Sequence, residues 1–255
     1  MNKSTFNTLN AAANNYEQIS FIENDPIQIP RKFTKKEDIE IAGLIAATLA
    51  WGQRPQIIKK SMLWMELLNW QPYDFVMNAP EEDFKRFTTF VYRTFNGDDC
   101  LFFMYSLRNI YQNHGGLETV FSKHSDDIKK SITYFREVFT EIPHLKRSEK
   151  HIGNPEKGSA AKRINMYLRW MVRSSDKGVD FGLWKNIKPS SLMIPLDVHS
   201  GRMGRRFDLL QRKQNDWKAV EELTYNLRKL DADDPIKYDF ALFGMGVNEK
   251  WTRSE

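Results

Sequence analysis

A single cysteine, Cys100, stands in 255 residues. No intrachain disulfide can form, and a four-cysteine iron–sulfur cluster is excluded. The five histidines, His114, His124, His144, His151 and His199, are scattered, and no Cys/His set has metal-ligand spacing. Long apolar runs are also missing. The longest runs from Ile39 to Trp51, is interrupted by Glu40, and is too short for the roughly 20 residues that span a bilayer. The N-terminal stretch MNKSTFNTLNAAANNYEQ has no apolar h-region, so no signal peptide is expected. There is no Gly-rich phosphate loop of P-loop or Rossmann form; Gly244-x-Gly246 is too short and follows a helix. No Ser-His-Asp order stands out, repeats are absent, and strand signals are sparse. These absences predict a soluble, cytoplasmic, all-α chain without a membrane span.

What is present is helical periodicity and a mild excess of positive charge. The formal net charge is +5, which favours a polyanionic partner without demanding one. Residues 1–33 are polar, and Asp25-Pro26 and Ile29-Pro30 argue against any helix there. Thr34-x-x-Glu37 fits a capping box before Ile41, Leu44, Ile45 and Leu49, with Gly52 as C-cap. A second helix is predicted from Pro55, a third over Leu101–Tyr111 and a fourth over Ile128–Phe139. After a polar stretch from His144 to Gly158, Ser159 is the expected cap of a helix whose apolar face is Ile164, Tyr167, Leu168, Met171 and Val172. Leu192–Leu196 reads as extended, and Asp197 as the N-cap of the next helix. Asp234-Pro235 opens a last helix, predicted to stop at Gly244-Met245-Gly246.

Three stretches together resemble the helix-hairpin-helix DNA glycosylases. The segment from Ile41 to Gln53 is similar to their early helix, which ends at a small-residue turn facing DNA. Gly158-Ser159-Ala160-Ala161-Lys162-Arg163 resembles the start of the second hairpin helix, which carries the lysine nucleophile of bifunctional members. Ile194-Pro195-Leu196-Asp197-Val198-His199 is similar to the segment that holds their catalytic aspartate. Over nearly its whole length the chain also resembles a bacterial family of proteins of unknown function, DUF2400. The phrases DIEIAGLIAATLAWG, KRINMYLRWMVR and DPIKYDFALFGMGV carry that likeness.

The resemblance implies one glycosylase-like domain over residues 1–255, a two-lobed helical bundle around a cleft with its hairpin near 145–172. It implies a monomer acting on double-stranded DNA in the bacterial cytoplasm or nucleoid. It implies Lys162 and Asp197 as catalytic residues. Gln53, Arg54, Ser159, Arg163, His199, Arg202 and Arg205 would contact DNA, and Trp51, Trp170 and Phe240 would form the substrate pocket. No cofactor or metal is expected. The chain departs from the pattern at the hairpin turn, Ile152-Gly153-Asn154-Pro155-Glu156-Lys157-Gly158, which lacks the closely spaced glycines of L-P-G-x-G. That departure bears on the phosphate contact and on the monovalent cation the hairpin usually holds. The interval from Lys162 to Asp197 is also stretched by an insert around residues 176–184.

The chemistry suits these residues. Cleaving an N-glycosidic bond builds positive charge on the sugar, which a carboxylate such as Asp197 stabilises. A lysine that attacks C1′ forms a Schiff base and must be neutral when it does so. With Ser159 as N-cap, Lys162 would sit at N3, where the helix macrodipole disfavours a cation by roughly 0.3–1 kcal/mol. Asp197 can cap with one oxygen and face substrate with the other, while the bland reading makes it a cap alone. Arg163, Arg169 and Arg173 on one helix, with Arg202, Arg205 and Arg206 on the next, would give two basic helices beside the site. Three readings stay open: a base-excision DNA N-glycosylase, with lyase activity if Lys162 is the nucleophile; a non-catalytic nucleic-acid-binding protein on the same scaffold; and a structural, partner-binding helical domain. A common cleft for Lys162 and Asp197 favours the first.

Overall fold

The computed structural model describes residues 3–174 and 176–248. Along them run α1 (Lys3–Tyr16), α2 (Lys36–Leu49), α3 (Arg54–Leu67), α4 (Pro72–Asn78), α5 (Gly97–Asn113) and α6 (Leu117–Ser122). After these come α7 (Ile128–Phe139), α8 (Lys162–Val172), α9 (Val198–Arg206), α10 (Trp217–Arg228) and α11 (Tyr238–Asn248). Short 3-10 turns join them, and the described residues hold two isolated bridges and no strand. The all-α expectation is met.

Helix α2 is the centre of the core. Every residue from Ile39 to Leu49 is buried, because the helix is apolar or small on all sides. It packs against α8, α3 and α4. Gly43 sets the α2–α8 distance: a Cβ there would lie 3.1 Å from both Met171 and Tyr167. The one acid in this stretch, Glu40, accepts hydrogen bonds from Tyr111 Oη at 2.7 Å and Trp184 Nε1 at 2.6 Å. Burial pushes its carboxyl up despite those donors.

Several predicted caps are corrected. Helix α2 follows Lys35, with no side-chain cap, and not Thr34; its C-cap is Ala50 and not Gly52. Helix α8 starts after Ala161, which sits at φ +45°, so Lys162 is at N1. Ser159 Oγ instead accepts from Ala161 N at 3.2 Å. Asp234-Pro235 opens a 3-10 turn, and α11 runs through Gly244-Met245-Gly246 to Asn248. The N-terminal segment, read as helix-free, contains α1. That helix packs along α11, with Leu9 and Ala13 as its buried residues.

Ionic anchors tie the helices together. Arg169, in the last turn of α8, and Arg173, its C-cap, are both 4% exposed. Arg169 contacts Asp180 at 3.3 Å and also Asp239, while Arg173 contacts Glu17, Asp180 and Asp234, each at 2.7 Å. The insert around 176–184 thereby acquires a structural role, since Asp180 is fully buried between the two arginines. A basic DNA-facing surface on α8 is not what these two arginines form; they are internal counter-ions.

Asp99 on α5 is a second anchor. It accepts from Ser148 Oγ at 2.6 Å and Asn96 N at 2.9 Å, and lies 3.1 Å from Arg147 and 3.2 Å from His151. Burial alone would raise its pKa, but the imidazole, hydroxyl and amide around it hold the carboxyl at about 2. A depressed carboxylate stabilises the fold above its unfolded pKa, and the gain fades as pH falls toward the folded value. Asp99 is thus expected to contribute about 2 kcal/mol at neutral pH, lost between about pH 4 and 2. Urea denaturation of wild type and Asp99→Asn should show a gap that closes over that range. A gap independent of pH would contradict the assignment.

Candidate active site

A cavity of about 650 Å³ opens between the segment before α2, the α2–α3 turn, the turn before α8, the starts of α8 and α9, and α11. That volume suits a small molecule or a single nucleoside. Local backbone rules bring the side chains there. Pro195 keeps the chain extended into Asp197, which caps α9. Asp197 Oδ1 accepts from His199 N at 2.8 Å and Ser200 N at 2.9 Å, and Ser200 Oγ returns a bond by accepting from Asp197 N. This reciprocal box fixes the carboxylate. Its other oxygen, Oδ2, faces Lys162 Nζ at 3.6 Å. Lys162 is at the first position of α8, so two helix N-termini converge on the pair. The lysine side chain is 33% exposed and the aspartate 16%, so both can be reached from solvent.

The surrounding wall is mixed. Arg163 donates to Thr48 O and, at 2.9 Å, to His151 O, joining the segment before α8 to the end of α2. Burial lowers its pKa to about 10, and no carboxylate pairs with it among the described residues. Arg54, at the start of α3, lies 5.1 Å from the Phe243 ring centre. Arg93 sits over Trp51 at 4.6 Å, and Tyr92 Oη donates to Trp51 O at 2.8 Å. The turn before α8 is compact: a Cβ on Gly153 would lie 2.8 Å from Ala161 Cα. Where the sequence suggested the first arm of a hairpin, residues Lys146–His151 form a 3-10 turn, and a further 3-10 turn, Pro155–Lys157, precedes Gly158 at φ +83°.

Of the residues singled out from sequence, Trp51, Arg54, Ser159, Lys162, Arg163, Asp197 and His199 line this cavity. Gln53 is an exposed N-cap of α3, outside the lining. Arg202 donates to Gly246 O. Arg205 is engaged with Arg212 O, Lys213 O and Asn215 Oδ1. Trp170 and Phe240 are corrected as pocket residues. Trp170 is fully buried in the core, and Phe240 lies under the Arg169 guanidinium, 4.3 Å away. Neither lines the cavity, although Phe240 packs directly behind its wall, against Phe21 and Arg169. His199 Nδ1 contacts Gly246 O at 3.0 Å, which fixes its ring beside α11.

Phe21, Asp25 and Asp239 also line the cavity, and nothing in the sequence marks them as site residues, whereas Phe243, read from sequence as packing, lies in the lining. Asp25-Pro26 had been legible only as a helix breaker, and Asp239 only as part of a last helix. Burial pushes the Asp25 carboxyl up and raises that of Asp239 to about 6, against the attraction of Arg169.

These features define an all-helical protein with a lysine and an aspartate opposed at a cavity. The chain belongs to the family described as protein of unknown function (DUF2400), whose model matches residues 25–248. The match leaves α1 outside, although Glu17 just after it joins the Arg173 cluster. No curated protein and no solved structure matches the chain.

Proposed function

We propose that the protein is a DNA N-glycosylase with lyase activity, built as a helix-hairpin-helix type bundle and acting on a damaged base in double-stranded DNA. The observation that carries this reading is the 3.6 Å approach of Lys162 Nζ to Asp197 Oδ2 at a nucleoside-sized cavity. Asp197 accepts a proton from the lysine. The neutral Nζ then attacks C1′ of a flipped nucleotide. The C1′–N bond breaks, and its electron pair leaves with the base, which takes up a proton. Asp197 hands the proton it took from the lysine to the departing base, and its restored carboxylate stabilises the positive charge that develops on the sugar. Loss of the amine proton and opening of the C1′–O4′ bond, with protonation of O4′, gives the Schiff base. Removal of a C2′ proton then expels the 3′ phosphate. Arg54 and Lys150, both at the cavity, supply positive charge for the backbone.

Borohydride trapping tests this on duplexes carrying an abasic site or a damaged base. A covalent protein–DNA adduct is the expected result. Salt-dependent DNA binding with neither adduct nor base release on any lesion would support the non-catalytic reading instead.

A further inference from the structure

The Lys162–Asp197 pair leaves two carboxylates of the cavity without a part in the chemistry. Asp25 and Asp239 both line it, 7% and 5% exposed. Each has one oxygen engaged. Asp25 Oδ1 accepts from Ile27 N at 3.0 Å, and Asp239 Oδ2 accepts from Arg169. The second oxygen of each has no protein donor among the described residues. Neither free oxygen is among the closed-off atoms without a partner, so each stays open to the cavity, where a ligand donor can reach it. Burial raises both carboxyls, as expected of acids that lack donors. Phe21, Trp51 and Phe243 line the same space and give it aromatic walls for a flat ligand. The cavity therefore pairs stacking surfaces with two acceptor-only groups.

Resting on the glycosylase reading, we propose that Asp25 and Asp239 read the edge of the flipped base and restrict the substrate to guanine-type lesions. Such bases present two adjacent donors, N1–H and the 2-amino group. Each donor would complete one half-satisfied carboxylate. Uracil offers one N–H flanked by two carbonyl oxygens, which would face the carboxylates unfavourably. Hypoxanthine keeps N1–H but has a C–H where guanine has the amino group, so one acceptor would be left buried and unpaired. Adenine-type and cytosine-type bases place an acceptor nitrogen beside their amino group. Rejection by unpaired buried acceptors is stronger than rejection by shape.

The test compares two duplexes that differ only in the 2-amino group, one carrying 8-oxoguanine and the other 8-oxohypoxanthine. Base release is followed under single-turnover conditions, and an abasic duplex is trapped with borohydride in parallel. Removing the amino group is expected to slow release by about 10-fold or more. In Asp239→Asn, Arg169 would hold the amide carbonyl and turn its NH2 toward the base, donor against donor. The rate ratio between the two purines should then fall toward one. A ratio is independent of the folded fraction, so partial unfolding cannot imitate this result. Asp25→Asn should compress the ratio as well. Equal release of both purines, or release of neither, by protein that still traps abasic DNA would overturn this proposal and leave the glycosylase reading standing. No trapping and no release on any duplex would remove both.

Discussion

Lys162→Ala is expected to eliminate the borohydride-trapped adduct completely. Lys162 Nζ is the amine that faces Asp197 across the cavity, and no water can replace it in forming an imine. Base release need not vanish with it. Asp197 would remain capped on α9 in the same orientation, able to activate a water at C1′. Slow base release without an adduct is therefore the expected phenotype. Asp197→Asn should behave differently. It keeps an acceptor for the cap but loses the charge that takes the lysine proton and steadies the sugar cation. Both base release and trapping should fall by about 10²–10⁴-fold. Thermal melting close to wild type would show that the fold persists in each variant. An adduct that survives in Lys162→Ala would assign the nucleophile elsewhere and remove the central argument for the site.

The largest expected effect on stability is at Asp180. Asp180→Ala would leave Arg169 and Arg173 facing each other across a cavity at the centre of the ionic cluster. Breaking a buried ion pair by deleting one partner costs about 3–5 kcal/mol, because the remaining charge is stranded without water. Asp239, Glu17 and Asp234 would still partner the arginines, so complete unfolding is not required. Against a total stability of about 5–15 kcal/mol, the loss should still be plain in urea denaturation. Asp180→Asn keeps hydrogen-bond acceptors and should lose less. A change below about 1 kcal/mol in Asp180→Ala would mean that the cluster is held by its other members.

The sequence was legible where periodicity and buried apolar area agree. Helix α2 is apolar on all sides and stands out, as do α5, α7 and α8. Helix α1 could not be read because its burial rests on Leu9 and Ala13 against α11, more than two hundred residues away in the chain. Helix α10 carries its signals in the sequence: Asp216 as N-cap, with Val220, Leu223 and Leu227 at helical spacing. The cap of α8 was misplaced because Gly158 and Ala161 both adopt positive φ and delay the helix by two residues. Such a turn has no simple sequence signature when alanine occupies the left-handed position. At the cavity, Lys162 and Asp197 are legible because the segments that carry them resemble those of the helix-hairpin-helix glycosylases. Asp25 and Asp239 were not, since two isolated aspartates become neighbours of one cavity only through the packing of the segment before α2, α8 and α11. Trp170 and Phe240 failed for the complementary reason. An aromatic on an amphipathic helix can face either way, and here both serve the core.

Arg169 belongs to two assemblies at once. It lines the cavity and also completes the buried cluster through Asp180. Binding and folding thus share a single guanidinium. A lineage adapting this pocket to a new ligand would find position 239 the natural place to change, yet any apolar residue there would strip Arg169 of a partner and weaken the whole bundle. Specificity drift should accordingly demand a prior stabilising substitution elsewhere, such as a better cap on α2, before it becomes tolerable.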